Sequence, residues 1–344
     1  MNGPSVTREG PQDPHPGREA TAGTPAARRH RRPGKRGEQP MVPEAVVTSY
    51  YGKPVINGPV WSTPDIPGYL FLGGLAGASS VLGAGAQLTG RRSLARVAKA
   101  GALAAGALSI AGLVHDLGRP SRFFNMLRTF KVTSPMSIGS WLLGAYLPQA
   151  AAACASDLTG KLPRTGAAAS AGAALLGPGV ASYTAALICD TAVPAWHEGF
   201  REMPFVFVGS AATAAGGLGM LGAPAAESDP ARNLALLGIG TELVAVKLME
   251  QRMGMVAEPY HAGRSGKYLM AGQVLSALGA AGAVLGRRST AISRLAGASF
   301  LAASATTRWG IFHAGKASAA DPKYTIIPQR ERLEARAQAP ESVS

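Results

Sequence analysis

The chain has 344 residues, of which 47% are hydrophobic and only 16% are charged, and its formal net charge is +14. A soluble globular domain carries nearer to about 25% charged residues, so this composition argues against a soluble domain. The positive charge is divided between an N-terminal tail and short connections between apolar runs. That distribution is typical of topology signals in membrane proteins and not of a single nucleic-acid-binding patch, so no nucleic-acid partner is expected.

Residues 1–45 form a basic tail rich in Pro, Gly and Arg. Its low hydrophobicity and high charge predict disorder, and it lacks the apolar core of a signal peptide. The polar residues 334–344 are predicted to form a second, short disordered tail. The folded part is therefore expected to span residues 46–333.

Eight apolar runs follow the N-terminal tail, each near the roughly 20 residues that are needed to cross the hydrocarbon core. They are apolar on all sides and rich in Gly and Ala, which favours closely packed helices over the alternating strands of a barrel. The sequence therefore predicts an all-α, polytopic integral membrane bundle of about eight transmembrane helices. The runs are residues 66–88, 94–114, 135–155, 166–189, 204–223, 233–249, 268–285 and 291–312.

The connections between these runs divide into two unlike sets. Those after the first, third, fifth and seventh runs are short and contain no His or aromatic residue, and we call their side of the bundle the plain end. The opposite side, the polar end, has longer connections that hold His, aromatic and acidic residues, namely residues 115–131, 190–203, 250–267 and 313–329. The polar end is predicted to carry the chemistry or to bind a partner. Basic residues at both ends give opposing topology signals, so they do not orient the bundle in the membrane.

His115 and Asp116 end the second run. In this arrangement Asp116 is expected to hold the imidazole in one tautomer while His115 exchanges a proton near neutral pH. The alternative is that both residues lie in interfacial water and only terminate the helix, but ionisable groups at membrane depth are usually functional. Three arginines follow, Arg119, Arg122 and Arg128, which either anchor lipid headgroups or dock a partner subunit.

A second group of His and carboxylate residues follows the fourth run, in Asp190, His197 and Glu198. It lies at the same end of the bundle as His115, so a shared proton-handling pocket is predicted. Trp196 either belongs to an interfacial aromatic belt or provides a platform for a ring. Tyr183, about two turns inside the fourth run, either packs among Ala residues or donates a hydrogen bond to a ligand.

Charged residues interrupt the sixth run at Glu242 and Lys247, and Glu250 follows three residues later on the same helical face as Lys247. Lys247 is expected to pair with Glu250 or to extend its ammonium group to the interface. Glu242 lies too deep for this, and a carboxylate at mid-membrane depth predicts a proton-relay or pathway-lining role.

The distribution of His and Cys argues against a metal cofactor in this chain. No run has a His in its interior, whereas haem in membrane subunits is held between histidines of facing helices. Cys154 and Cys189 lack the paired-cysteine spacing of a zinc or iron–sulfur site and are expected to be buried small hydrophobes.

Four stretches of this sequence together resemble the NrfD/polysulfide reductase membrane-subunit family. They are HDLGRPSRFFNML at 115–127, TSPMSIGSW at 133–141, PAW at 194–196 and AGKASAADP at 314–322. The resemblance extends over about residues 50–333, which leaves only the two tails outside it.

This resemblance implies an eight-helix, multi-pass subunit of the cell membrane that anchors a molybdopterin oxidoreductase complex. Such a subunit binds quinone or menaquinone as an exchangeable cofactor and exchanges electrons with a docked, ferredoxin-like iron–sulfur subunit. It contains neither haem nor an iron–sulfur cluster of its own, so alone it catalyses no net reaction. The residues that the resemblance places near the quinone are His115, Asp116, Arg119, Tyr183 and Trp196.

Proton handling is expected from His115, Asp116 and Glu242, since Glu242 matches an acidic position in the sixth helix of the family. Docking of the partner subunits is expected at Arg122, Arg128, His197 and Glu198. The last two depart from the family's pattern, so their roles rest on their chemistry alone.

Two other functions compete with the quinone-reactive anchor. A transporter or an ion- or proton-conducting subunit would use Glu242 and Lys247 to line a path, and it predicts related halves with helices broken near the midplane. The clustering of polar groups at one end argues against it. The other alternative is a purely structural anchor that has lost quinone binding.

Overall fold

The computed structural model describes residues 6–7, 10–11, 54–119, 121–287 and 289–338. Eight long helices dominate this part of the chain, and each coincides with one of the predicted apolar runs. The long helices are α1 (Asp65–Leu88), α2 (Arg92–Asp116), α4 (Pro135–Thr159), α5 (Pro163–Cys189), α7 (Met203–Gly222), α8 (Asp229–Met253), α10 (Gly263–Leu285) and α11 (Thr290–Ala320). The shorter ones are α3 (Ser121–Met126), α6 (Pro194–His197), α9 (Glu258–His261) and α12 (Lys323–Gln338).

The remaining regular structure is short. Two 3₁₀ turns, Ala225–Glu227 and Gly254–Ala257, flank α8. Strands β1 (Val6–Thr7) and β2 (Gly10–Pro11) form an antiparallel pair. The rest of the predicted N-terminal tail, up to residue 45, lies outside the described residues. The prediction of an all-α membrane bundle is confirmed.

Five of the long helices, α1, α2, α5, α7 and α10, are long and apolar enough to cross a membrane. Two of the others, α8 and α11, carry charged residues along their length, among them Glu242 and Lys247 on α8 and Arg308 on α11. These charges lower the hydropathy of the helices without shortening them.

The helix boundaries follow from local sequence signals. Ser134 precedes α4, its side chain accepts the backbone N–H of Ser137, and Pro135 occupies the first turn, where no intrahelical N–H bond is needed. Gly160 ends α4 with a left-handed φ of 68°, which glycine adopts without steric cost. The TSPMS motif is therefore a helix start.

Helices α1 and α7 lie at the centre of the bundle. Helix α1 packs against α2, α5, α7 and α11, and α7 packs against α8, α11, α1 and α5. We call α1, α2, α4 and α5 the first half of the bundle, and α7, α8, α10 and α11 the second half. Glycines let the helix backbones touch, since they have no side chain in the way. At the crossing of α1 and α5, a Cβ atom added to Gly77 would lie only 2.2 Å from the carbonyl oxygen of Gly177.

Two helices extend beyond the predicted limits. Helix α11 continues past residue 312 to Ala320, so that His313 lies on the helix and not in the following connection. Helix α12 runs to Gln338, into the segment predicted to be a disordered tail.

Candidate functional site

The polar end of the first half contains the His115 imidazole. Its Nδ1 atom lies 2.8 Å from Oδ2 of Asp65, the first residue of α1, and the His115 side chain is 78% exposed. The prediction that Asp116 holds this imidazole is wrong, because Asp65 occupies that position. Asp65 and His115 are 50 residues apart, and they meet because α1 and α2 are antiparallel neighbours.

Asp116 instead fixes the segment that precedes α1. Its Oδ1 atom accepts the backbone N–H of Ser62 at 3.0 Å, and its carboxyl group is half-buried. This bond holds the segment next to Trp61 against the end of α2. Two carboxylates, Asp65 and Asp116, therefore lie beside one imidazole.

Tyr183 lies deeper in the same half, six residues before the end of α5. Its ring packs directly on Gly139 of α4, where a Cβ atom would lie 2.0 Å from the ring. Only 8% of the residue is exposed, and no described residue hydrogen-bonds its hydroxyl group. The adjacent Thr184 contacts Gly73 of α1, opposite Ser109 of α2, which places Tyr183 roughly 10 Å further inside the bundle than His115.

The arginines after α2 occupy different environments. Arg122 donates from Nη1 to the carbonyl oxygen of Leu117 at 3.2 Å and so supports the turn at the end of α2. Arg119 and Arg128 are exposed at the surface of the polar end. Of the predicted docking arginines, Arg128 is thus at the surface, whereas Arg122 stabilises the turn.

Trp196 is a structural centre of the polar end. Its indole is fully buried, its Nε1–H donates to the carbonyl oxygen of Ile311 at 2.8 Å, and it stacks on Trp61 with ring centroids 5.4 Å apart. Gly315 of α11 leaves the space that the indole fills. Because the ring is enclosed and its donor is used, Trp196 belongs to the packed interior and not to an interfacial belt.

The short helix α6 that carries Trp196 is held from two further directions. The backbone N–H of Ala195 donates to Ser318 Oγ at 3.1 Å, and the Tyr260 hydroxyl donates to the Ala195 carbonyl oxygen at 2.7 Å. Contacts to Trp61, Tyr260, Ile311 and Ser318 thus bring together the connections that were predicted to share one end. The prediction of a single polar end is confirmed.

Asp190, His197 and Glu198, which were predicted to share a proton-handling pocket with His115, each have local contacts of their own. His197 Nδ1 lies 3.1 Å from the carbonyl oxygen of Cys189, and Asp190 is exposed at the end of α5. Glu198 forms an ion pair with Arg332 of α12 at 3.0 Å. These contacts fasten α5, α6 and α12 to one another.

A neighbouring ion pair, for which the sequence carries no signal, joins Glu202, the residue before α7, to α8. Arg252 donates from Nε and Nη2 to the two carboxylate oxygens of Glu202, at 2.7 and 2.6 Å, and also to the Glu198 carbonyl oxygen. These hydrogen bonds from Arg252 hold the pKa of Glu202 below its ordinary value. Such a bidentate ion pair is typical of arginine with a carboxylate.

Glu242 lies in the second half, close to the crossing of α7 and α8. There a Cβ atom on Gly209 would lie 2.7 Å from the backbone nitrogen of Glu242. The carboxylate accepts the Thr307 hydroxyl at 2.9 Å. Arg308, which is fully buried, donates from Nη2 to the Phe207 carbonyl oxygen at 2.7 Å, and its guanidinium lies 3.7 Å from the centroid of the Phe207 ring.

Glu250 pairs with a residue other than the predicted one. Its Oε1 atom lies 3.2 Å from Nε2 of His261 on α9, whereas the side chain of Lys247 is exposed on the outside of α8. The predicted pairing of Lys247 with Glu250 is wrong, because α9 brings His261 over the end of α8.

A cavity of about 140 Å³ connects these groups of the second half. It lies between α8, α10 and α11, with Glu242 and Thr307 deep inside and Glu250 and His261 near the polar end. The predicted proton-handling residues thus fall into two groups, with His115 and Asp116 in one half and Glu242 in the other.

The missed partners share one property: each is brought to the site by a different element of the chain. The sequence does carry a signal for two of them. Asp65 is a charged residue at the edge of the first apolar run, and Arg308 is a charged residue within the eighth. Within the described part of the chain, no three His, Cys, Asp or Glu side chains converge to hold a metal ion.

The family comparison covers most of these elements. The family described as Polysulphide reductase, NrfD matches residues 55–241, which is more than half of the 344-residue chain. The match includes the whole first half and α7, with the motif at 115–127, and it ends one residue before Glu242. No curated protein matches the chain. The chain belongs to the NrfD polysulphide reductase family.

Proposed function

We propose that this protein is the quinone-reactive membrane subunit of an oxidoreductase complex in the cell membrane. The family is one of membrane subunits of such complexes. The proposed quinone site lies at the polar end of the first half, next to His115, Asp116 and Tyr183. The observation that carries the proposal is an exposed imidazole, held by a carboxylate at the end of an apolar helix.

The polar groups available there suit a quinone head. The His115 ring is held through Nδ1, which leaves Nε2 free to face a ligand, and the Tyr183 hydroxyl has no hydrogen-bond partner among the described residues. The imidazole and the hydroxyl group lie roughly 10 Å apart along the bundle axis. A quinone ring between them therefore has the imidazole on one side and the hydroxyl group on the other. The surrounding Gly- and Ala-rich helices offer an apolar surface to a tail.

The chemistry that a bound quinol supplies is two electrons and two protons. His115 takes up a proton at Nε2 when the ring becomes an imidazolium, and the Asp65 carboxylate stabilises that charge at a distance of 2.8 Å. Asp116 provides a second negative charge beside the ring and holds the segment before α1 in place. Arg119, at the exposed rim, is a further group for orienting the head. Trp196 acts on this site indirectly, by packing on Trp61.

We infer that the electrons leave to a docked partner subunit, as in the membrane subunits of such complexes. We assign the docking surface for a ferredoxin-like iron–sulfur subunit, and through it a molybdopterin subunit, to the polar end. Arg128 and His197 are exposed there. Glu198 and Arg122 support this surface from within, through their contacts to Arg332 and Leu117.

The test is binding of a quinol analogue to the purified full-length chain in detergent, followed by fluorescence quenching. His115→Ala is expected to weaken binding by about tenfold, the loss of one hydrogen bond to a charged group. Asp116→Asn keeps the acceptor for the Ser62 N–H but removes the negative charge beside the imidazole, and it is expected to weaken binding by a smaller factor. His261→Ala is the matched control, since it removes an exposed imidazole of the polar end from the other half. Equal affinity in the wild type and the His115 and Asp116 variants would rule out this location.

A further inference from the structure

The cavity of about 140 Å³ in the second half lies where two neighbouring helices do not close on each other. Helix α10 packs along α11 and barely contacts α8. Two apolar residues that line the cavity, Leu243 of α8 and Met270 of α10, have 51% and 67% of their surface exposed. The gap between α8 and α10 is therefore open to the hydrocarbon of the membrane, and we call it the lateral cleft.

The walls of the lateral cleft suit a hydrocarbon chain. Between the polar end and the middle of the helices they consist of Val246 and Met249 of α8, Leu269 of α10 and Ile311 of α11. A cavity of about 150 Å³ with apolar walls stays dry and takes up a hydrocarbon of the size of benzene. The lateral cleft is of similar size, so it accommodates a segment of an alkyl chain.

Two lysines flank the lateral cleft near the polar end. Lys247 follows the cavity-lining Val246 on α8, and Lys267 follows the cavity-lining Gly266 on α10. Both lysines are exposed, and neither forms an ion pair or a hydrogen bond with a residue that the structure describes.

The depth of these lysines matches the level of lipid headgroups. Lys247 lies six residues before the end of α8, and Lys267 lies four residues after the start of α10. At 1.5 Å for each residue, their Cα atoms are roughly 9 and 6 Å below the helix ends. A lysine side chain spans such a distance while its ammonium group stays at the interface. Together the two ammonium groups form a site for an anion, of the kind that attracts acidic lipids.

A polar side chain without a partner lies deeper in the lateral cleft. Gln273 of α10 lines the cavity, is exposed, and forms no hydrogen bond with a described residue. Its Cα atom is roughly 15 Å below the start of α10. Helical side chains lean toward the N-terminus of their helix, which for α10 is at the polar end, so the amide reaches back toward the lysines. An amide among hydrocarbon chains costs free energy unless an acceptor meets it.

We propose that the lateral cleft binds one anionic phospholipid of the surrounding leaflet as a structural ligand. The phosphate lies between Lys247 and Lys267, and an ester carbonyl of the lipid accepts the Gln273 amide. One acyl chain fills the apolar part of the cleft, between Leu243 and Met270. The lipid thereby supplies the contacts to α8 that α10 lacks within the protein. No quinone takes part, so this site is separate from the one at His115.

A whole phospholipid fits these features better than either of its parts. A free phosphate ion would pair with the lysines but leave the apolar walls and Gln273 uncovered. An uncharged lipid would cover the walls but leave two cations without a counter-charge.

The acidic residues of the cavity do not oppose an anionic lipid. Glu250, near the polar end, pairs with His261 at 3.2 Å, which offsets its negative charge. Glu242, at the bottom of the cavity, accepts the Thr307 hydroxyl, so the acyl chain ends above a group that already has a partner.

The first test is native mass spectrometry of the full chain in detergent with added lipid. Dioleoyl phosphatidylglycerol is expected to bind with one tight site, and phosphatidylcholine with the same chains to bind more weakly. Lys247→Gln and Lys267→Gln are each expected to lower the affinity for phosphatidylglycerol by about fivefold. Lys131→Gln is the matched control, since it removes an exposed lysine of the polar end from the first half.

The second test concerns the acyl chain. Met270→Trp places a large side chain at the edge of the lateral cleft and is expected to lower the affinity for phosphatidylglycerol by about tenfold. Val274→Trp is its control, because Val274 lies one turn further along α10, is exposed, and does not line the cavity. Both changes are at exposed positions, and circular dichroism checks that each variant keeps its helices.

Thermal unfolding in detergent separates the lipid from a simple anion. Phosphatidylglycerol is expected to raise the unfolding temperature of the wild type by a few degrees, whereas inorganic phosphate at the same concentration leaves it unchanged. The variant with both lysines replaced by Gln is expected to lose this shift.

Three results would overturn the proposal. One is equal affinity of the wild type and the double lysine variant for phosphatidylglycerol. Another is equal affinity of the wild type for phosphatidylglycerol and phosphatidylcholine. The third is stabilisation by inorganic phosphate that matches stabilisation by the lipid, which would indicate an anion site without a place for the chain. His115→Ala is expected to bind phosphatidylglycerol like the wild type, so failure of this proposal and failure of the quinone site are distinguishable.

Discussion

At the scale of single residues, this protein places its charges where another helix neutralises them. His115 has Asp65, Glu250 has His261, and Glu202 has Arg252, each from a different element. A charge in a membrane bundle costs free energy unless it is paired, and a different element of the chain supplies each partner here. The pairs therefore specify the fold as well as the chemistry.

The charges of Glu242 and Arg308 interact electrostatically, which allows a double-mutant cycle. Arg308→Met is expected to lower the free energy of unfolding by about 3 kcal/mol, since it leaves the Glu242 carboxylate without its counter-charge. Glu242→Gln is expected to cost less, because the amide retains a bond to Thr307. The double variant is expected to be more stable than the sum of the two losses, since neither charge remains. Unfolding in a denaturant series in detergent measures all three.

A strictly additive double variant would show that the two side chains do not interact. The matched control is Arg294→Met, which removes an exposed arginine of the same helix, α11. It is expected to change the free energy of unfolding by less than about 0.5 kcal/mol.

At the scale of helices, glycine determines how closely the elements approach. At the crossing of α1 and α5, the backbones of Gly77 and Gly177 are in contact, and at the crossing of α7 and α8 those of Gly209 and Gly238 are in contact. The second crossing lies one turn from Glu242, so the packing of α7 on α8 also positions the Glu242 carboxylate. Small residues at such crossings stabilise membrane helices by close packing.

Gly77→Ala tests this role of close packing. The new Cβ atom would lie 2.2 Å from the Gly177 carbonyl oxygen, which is backbone and cannot rotate away, so α1 and α5 must separate. We expect a loss of about 2 kcal/mol in the free energy of unfolding. Gly85→Ala on the same helix is the control, because no atom lies within 4 Å of its new Cβ.

The control is expected to be neutral or to stabilise α1 by up to about 1 kcal/mol, the gain in helix propensity from Gly to Ala. Thermal unfolding in detergent, followed by circular dichroism, measures both variants. If Gly77→Ala were as stable as Gly85→Ala, the contact between α1 and α5 would not limit stability.

At the scale of the whole molecule, the apolar runs predicted the eight helices and the two unlike ends. Run length and Gly–Ala content suffice for this, because a membrane helix satisfies its own backbone hydrogen bonds. The partners of His115 and Glu250 were not predictable in the same way. Choosing Asp65 over Asp116, or His261 over Lys247, depends on which helices are neighbours, and one sequence does not contain that information. The fully buried position of Trp196 was missed for the same reason.

The polar end also gives the whole molecule a defined response to acid. The pKa of Glu202 is held below its ordinary value by its hydrogen bonds from Arg252. A carboxyl with a lowered folded-state pKa stabilises the fold above its unfolded-state pKa, and this contribution is lost as the pH falls through the folded value. The tie between α7 and α8 is therefore present at neutral pH and weakens below about pH 4.3, the ordinary value for Glu.

Glu202→Gln is expected to lower the free energy of unfolding at pH 7 by on the order of 1 kcal/mol, since the pair is partly exposed to solvent. At low pH, where Glu202 is protonated in the wild type too, the difference between the two proteins should shrink. Glu331→Gln, which removes an exposed carboxylate of α12, is the control and should follow the wild type at every pH. Unfolding midpoints measured from pH 7 down to acid conditions test this. A constant gap between Glu202→Gln and the wild type over that range would mean that Glu202 acts by packing alone.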